Sequence, residues 1–170
     1  SRLPCFMTPL DFLRRYQFDE RIIRGGYFSS EPLKVDNEER VGVVLFNLGG
    51  PETLEDVEPF LYNLFMDPAL VDLPVGGRLR HWLCKAIASL RSSSVQEDYE
   101  LIGGGSPLTR LTQEQATSVE CYLNEHYGSP TGVDFRTYTA MRYWHPFSEE
   151  AAAQMKADGV DQVVLLPLYP

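Results

Sequence analysis

The sequence predicts an α/β fold built on a parallel sheet. Three strand-like stretches, the continuous apolar run Val41–Phe46, then Phe135–Tyr143 and Val163–Tyr169, stand far apart along the 170 residues. The segments between them carry helical periodicity. A continuous apolar run suits a strand buried on both faces, as in a parallel sheet. Strands separated by helices imply right-handed crossovers between parallel neighbours. In such sheets ligands gather at the carboxyl ends of the strands, here 47–51, 141–146 and 168–170.

The elements follow in order. After the first run, Asn47-Leu48-Gly49-Gly50-Pro51 forms a turn. Thr53 is placed to cap a helix, with Glu52, Glu55 and Asp56 near its positive end. Val57, Phe60, Leu61, Leu64 and Phe65 make one apolar helical stripe, with Pro59 marking a kink or a later start. Asp67-Pro68 ends that helix. A second helix is predicted over 78–90, broken by Ser92-Ser93-Ser94, and a short third over 95–102. Thr112-x-x-Gln115 reads as a capping box opening a helix to about His126, closed by Gly128-Ser129-Pro130. Ser148 caps the next helix, and Asp158-Gly159 ends it.

Composition removes several classes of function. With 44% hydrophobic and 23% charged residues the chain is of ordinary globular type, long enough for one core. No apolar run approaches the roughly 20 residues that cross a bilayer as a helix. A net charge of −9 argues against broad nucleic-acid binding. Cys5, Cys84 and Cys121 are far apart and fit neither a disulfide framework nor a zinc spacing, so a reducing compartment is expected. Residues 1–40 mix acids, bases and scattered aromatics and read as an N-terminal arm or extension; residues 41–170 read as the regular domain. The acids Asp11, Asp19 and Glu20 spoil a transit-peptide reading of the arm. A three-stranded sheet is small, and the expectation is a fragment, or one half of a two-lobed protein.

Gly103-Gly104-Gly105-Ser106 fits neither a dinucleotide nor a P-loop phosphate fingerprint. Two readings stay open: a tight turn needing positive φ, or a close approach by a ligand or another backbone. Arg142 and Tyr143 close a strand beside Trp144, His145 and Pro146. A guanidinium there needs an acidic partner or serves as an anion ligand. His145 reads as a turn residue before a metal ligand, and His81 and His126 as surface or structural groups.

Four blocks carry a resemblance. "VGVVLFNLGGPETLEDVEPFLYNLFMDP" (41–68), "QEDYELIGGGSPLTRLTQEQ" (96–115), "MRYWHPFSEEAAAQMKADGV" (141–160) and "VVLLPLYP" (163–170) resemble the signature blocks of ferrochelatases, in order and spacing. The wording is closest to the plant, algal and cyanobacterial type. The resemblance implies a Rossmann-like three-layer lobe with a parallel sheet, the first of two chelatase lobes around a porphyrin cleft. It implies insertion of ferrous iron into protoporphyrin IX, the last step of haem synthesis. It puts Arg91, Tyr99 and Ser106 at porphyrin-binding positions, Arg142 and Tyr143 at the cleft floor, and Leu48 at an apolar position after the first strand. The match at Arg91 is the weakest, because Ser92–Ser94 depart from a more basic run. The family's metal-site histidine and its acidic partner are expected after Pro170, so no catalytic or metal residue is assigned in this chain. Ferrous iron counts as a substrate; no resident cofactor is assigned, and an iron–sulfur cluster is left open. The expected partners are protoporphyrin IX, ferrous iron and the second lobe of the same protein, with a membrane surface as a further contact and no nucleic acid. The expected location is a plastid, membrane-associated or stromal, with a bacterial cytoplasm or a mitochondrion as alternatives. The rivals are a nucleotide-binding domain, a non-catalytic tetrapyrrole-binding half, and a chelatase for another metal or porphyrin.

Overall fold

A computed structural model describes residues 39–168 apart from position 74. The arm expected over residues 1–40 lies outside the described residues except for Glu39 and Arg40, as does Tyr169. Among the described residues three strands form one sheet, β1 (Arg40–Asn47), β2 (Asp134–Met141) and β3 (Gln162–Pro167), in the order β2-β1-β3. Both pairings of β1 are parallel, with Arg40 opposite Asp134 and Val41 opposite Gln162. β1 is central, and Val41, Val43, Val44 and Leu45 are fully or almost fully buried, which is why that run lacks alternation.

The helices are α1 (Val57–Met66), α2 (Gly77–Leu101), α3 (Leu108–Leu123) and α4 (Ser148–Ala157). They cover both faces of the sheet over β1 and β2 but leave β3 exposed, with Val163 to Leu166 open to solvent, and the chain is α/β as expected. On one face Val43 and Leu45 pack on Ala116 of α3. On the other Val44, Tyr138 and Ala140 pack on Ala151 of α4. A third cluster lies beyond the carboxyl ends of β1 and β2. There Val57, Phe60 and Leu61 of α1 meet Ala88 of α2 and Tyr143, with Val95, Tyr99 and Trp144 against them. Each large side chain buried there contributes about 2 kcal/mol.

Four boundaries differ from the expectation. Ser92–Ser94 do not break the helix: α2 runs unbroken over 25 residues. The Ser92 hydroxyl donates to the Ser89 carbonyl at 2.9 Å, so a buried serine is satisfied inside the helix. Its position continues the inward row Arg80, Cys84, Ala88. The Thr112–Gln115 capping box does not form, because α3 starts four residues earlier. Ser106 Oγ accepts the Leu108 N–H at 3.3 Å, and Thr112 is buried and takes a hydrogen bond from Asn47. Helical turns also continue past Gly128 to Thr131 and stop at Gly132, whose φ is +77°. Ser148 is the first helical residue rather than the cap, because Glu150 reaches back to the Phe147 N–H at 2.6 Å.

Candidate functional site

The loop after β1 holds the site together. Leu48 accepts the Tyr143 N–H at 2.9 Å, and Asn47 accepts the Arg142 N–H at 3.0 Å. Pro51 accepts the Ser106 N–H at 2.7 Å. Two segments distant in sequence, around Ser106 and at Arg142-Tyr143, are therefore clamped on residues 47–51. Glycines make the approach close enough. A Cβ on Gly50 would lie 2.5 Å from Ser106 Oγ, and one on Gly105 would lie 2.1 Å from the Glu52 carbonyl oxygen. Both readings of the glycine run are realised at different positions. Gly103 and Gly104 take φ of +108° and +92° with open space around them, a turn, whereas Gly105 lets two backbones meet.

Arg142 and Tyr143 converge on Asp67, at the end of α1. Asp67 Oδ2 accepts from Arg142 Nε at 2.8 Å, from Arg142 Nη2 at 2.5 Å and from the Tyr143 hydroxyl at 2.8 Å. Its Oδ1 accepts the Ala69 N–H at 2.9 Å. Asn63 adds a bond to the Tyr143 carbonyl. Burial alone would raise the Asp67 carboxyl. The bonds from Tyr143, Ala69 and Arg142 more than offset it and hold the group below its usual value. Burial, then the Asp67 bond, pushes the Tyr143 phenol up. Arg142 thus has the acidic partner its position demands, yet its side chain is 48% exposed while that of Asp67 is 13% exposed. One face of the guanidinium is anchored and the rest faces solvent.

The remaining candidates divide. Tyr99 packs on the same apolar cluster as Tyr143 and Trp144, and burial raises its phenol. Leu48 is exposed on the clamping loop. The Ser106 oxygen accepts the Leu108 N–H, which leaves its own proton to donate elsewhere. Arg91 is exposed on α2 and makes no hydrogen bond or ion pair with the described residues. Sequence reasoning missed Asp67, which reads only as a helix terminator, and Asn63. The requirement of Arg142 for an acid was the available signal.

The three histidines stand in local contacts. His81 Nδ1 lies 2.5 Å from the Tyr62 hydroxyl, His126 stacks on Tyr122, and His145 Nδ1 lies 2.7 Å from Glu150. Among the described residues no group of three or more His, Cys, Asp or Glu is arranged to hold a metal.

The model of the family described as Ferrochelatase matches residues 40–170. A Prochlorococcus marinus protein named Ferrochelatase is 57% identical over 131 residues, 77% of this chain and 32% of its own length. Proteins of the same name from Parasynechococcus marenigrum and Synechococcus elongatus are each 56% identical, again over 77% of this chain and 32% of their own. The chain spans about a third of the length of the curated relatives it matches. With the family model covering the whole stretch that folds into this sheet and its helices, the chain belongs to the ferrochelatase family.

Proposed function

We propose that this chain is the porphyrin-gripping lobe of a ferrochelatase that inserts ferrous iron into protoporphyrin IX. The observation that carries the reading is the clamping of Leu48, Ser106, Arg142 and Tyr143 around one loop at the carboxyl ends of β1 and β2. A tetrapyrrole is a flat apolar disc with two carboxylates on one edge. It needs apolar and aromatic walls and a few fixed cations. Leu48, Tyr99 and Trp144 offer wall, while Tyr143, only 5% exposed, is buried behind them rather than lining the surface as expected. Arg142, held from one side by Asp67, and Arg91 offer forked donors for carboxylates. Ser106 offers a hydroxyl on rigid backbone.

The reaction consumes Fe²⁺ and the free-base ring and releases protohaem and two protons from the pyrrole N–H groups. Bending the ring aims nitrogen lone pairs at the metal, and contacts along its faces and edge offset that strain. The gripping residues of this chain serve that step. A base must take the protons; the family resemblance assigns it, with the metal path, to a second lobe.

A membrane surface is part of the proposal. The outward side of α2 carries Leu79, Trp82, Leu83 and Leu90, with Trp82 70% and Leu90 83% exposed. Arg78, Lys85 and Arg91 flank that stripe, and no acidic residue occurs over 77–96. An apolar stripe with basic flanks and a tryptophan suits an anionic lipid interface. No helix among the described residues is long and apolar enough to cross a membrane. A plastid is the proposed setting, and the cyanobacterial relatives support its alternative, a bacterial cytoplasm.

The test is anaerobic incubation of the complete protein with ferrous iron and protoporphyrin IX, followed by absorption of free base and haem. Conversion is expected, with Arg142→Ala reducing kcat/KM at least tenfold and His126→Ala leaving it within twofold. Absence of conversion by the wild-type protein, or the reverse ranking of the two variants, contradicts the proposal.

A further inference from the structure

Arg80 is the one guanidinium in the described core. It is 7% exposed, and no carboxylate among the described residues pairs with it. A buried cation without a counter-charge is costly, and a long apolar side chain would fill the same space without that cost. What Arg80 does instead is specific. Its Nη2 donates to the Phe65 carbonyl at 3.1 Å and to the Val71 carbonyl at 2.8 Å, while Nε is buried without a partner. Phe65 lies in the last turn of α1, where carbonyls lack helical partners. Val71 follows the turn, and its own N–H is bound to the Asp67 carbonyl. One nitrogen thus staples both sides of the short turn that carries Asp67.

We propose that Arg80 is a positioning residue that sets the Asp67 carboxylate and, through it, the direction in which the exposed side of Arg142 faces. Backbone bonds also close the turn, from the Asp67 N–H to Leu64 and from the Leu70 and Val71 N–H groups to the Asp67 carbonyl, and the Cys84 thiol donates to the Phe65 carbonyl at 3.2 Å, but among the described residues only Arg80 ties Phe65 to Val71. Asp67 caps it with Oδ1, which also fixes where Oδ2 points. Oδ2 is the atom that takes both Arg142 nitrogens and the Tyr143 hydroxyl. A turn free to tilt would move Oδ2 and release the anchored face of Arg142. This role rests on the porphyrin-gripping reading for its functional consequence, but the coupling to Asp67 stands on geometry alone.

The experiment measures equilibrium binding of protoporphyrin IX and of its dimethyl ester to the complete protein, with Arg80→Met, Arg80→Lys, Asp67→Asn and the Arg80→Met/Asp67→Asn pair. The expected result is about a tenfold loss of diacid affinity in Arg80→Met, less than twofold loss for the ester, and partial recovery in Arg80→Lys. In the Asp67→Asn background Arg80→Met adds less than twofold. Equal loss for diacid and ester reduces Arg80 to a packing role and overturns the inference, as does full additivity with Asp67→Asn. The ¹⁵Nε signal of Arg142, read without porphyrin, separates the two claims. Slow Nε–H exchange is expected in wild-type protein, fast exchange in Arg80→Met, and an intermediate rate in Arg80→Lys. Unchanged exchange in Arg80→Met overturns the positioning role even if porphyrin does not bind. Loss of porphyrin binding by wild-type protein with the exchange difference intact removes only the functional reading.

Discussion

Arg142 and Asp67 lie 75 residues apart in the chain and meet at 2.5 Å. The contact joins the end of β2 to the end of α1, and it recruits the Tyr143 hydroxyl to the same carboxylate oxygen. It fixes a guanidinium at the carboxyl end of β2 while leaving about half of that side chain open to solvent.

Asp67→Asn is expected to destabilise the protein by about 2 kcal/mol, as read from urea denaturation. Most of this comes from the buried Tyr143 bond, because the exposed Arg142 side of the pair is screened by water. The pH dependence follows from the sign of the shift. The folded Asp67 carboxyl lies below 3.8, so its stabilisation is complete above that value and fades as pH falls through the folded value. The acid limb of the stability curve should be shallower in Asp67→Asn than in wild type. An unchanged acid limb contradicts the assignment.

The two kinds of glycine in the 103–105 turn should respond differently. Gly104→Ala forces a side chain into a positive φ but meets no atom, a cost of about 1 kcal/mol. Gly105→Ala drives a Cβ against the Glu52 carbonyl, so backbone must move, with a cost of about 3 kcal/mol and loss of the Ser106–Pro51 bond. Thermal melts of the two variants rank them, and equal costs would show that the loops do not meet as described.

Tyr138 supplies a probe on the other side of β2. Burial, and then the hydrogen bond it donates to Asp158 at 2.9 Å, pushes its phenol up to about 12. A raised value means stabilisation that is whole below the ordinary value of 10 and is lost as pH rises through about 12. Tyr62, Tyr99 and Tyr143 are raised as well, but ultraviolet titration should show Tyr138 ionising last among the described tyrosines and coincident with alkaline unfolding, and Tyr138→Phe should remove that last step. A normal titration of all tyrosines contradicts it.

Much of this architecture is legible in the residues. Val41–Phe46 lacks alternation because β1 is covered on both faces, and Phe60, Leu61 and Leu64 repeat because α1 has one packed side. The misread boundaries share a physical cause: a polar side chain satisfied by tertiary structure looks like a local signal. Ser92 resembles a breaker but is bonded within the helix, and Thr112 resembles a cap but is held by Asn47 from β1. Of the candidate residues, Arg142 and Tyr143 stood out by type at a strand end and Ser106 by its glycine run, whereas Arg91, Tyr99 and Leu48 came only from the family resemblance. The central acid of the site was not legible, since nothing near Asp67 in sequence marks it as the partner of a guanidinium 75 residues away. Arg80 was hidden for the same reason, as one basic residue among several on α2.

The most direct measurement of the central claim is a crystal structure of the complete protein with protoporphyrin IX. The expected density places the ring against Leu48 and Trp144, with Arg142 or Arg91 on a propionate and Asp67 still holding Arg142. A ring bound away from the carboxyl ends of β1 and β2, for instance on the outer face of α3, would contradict the account.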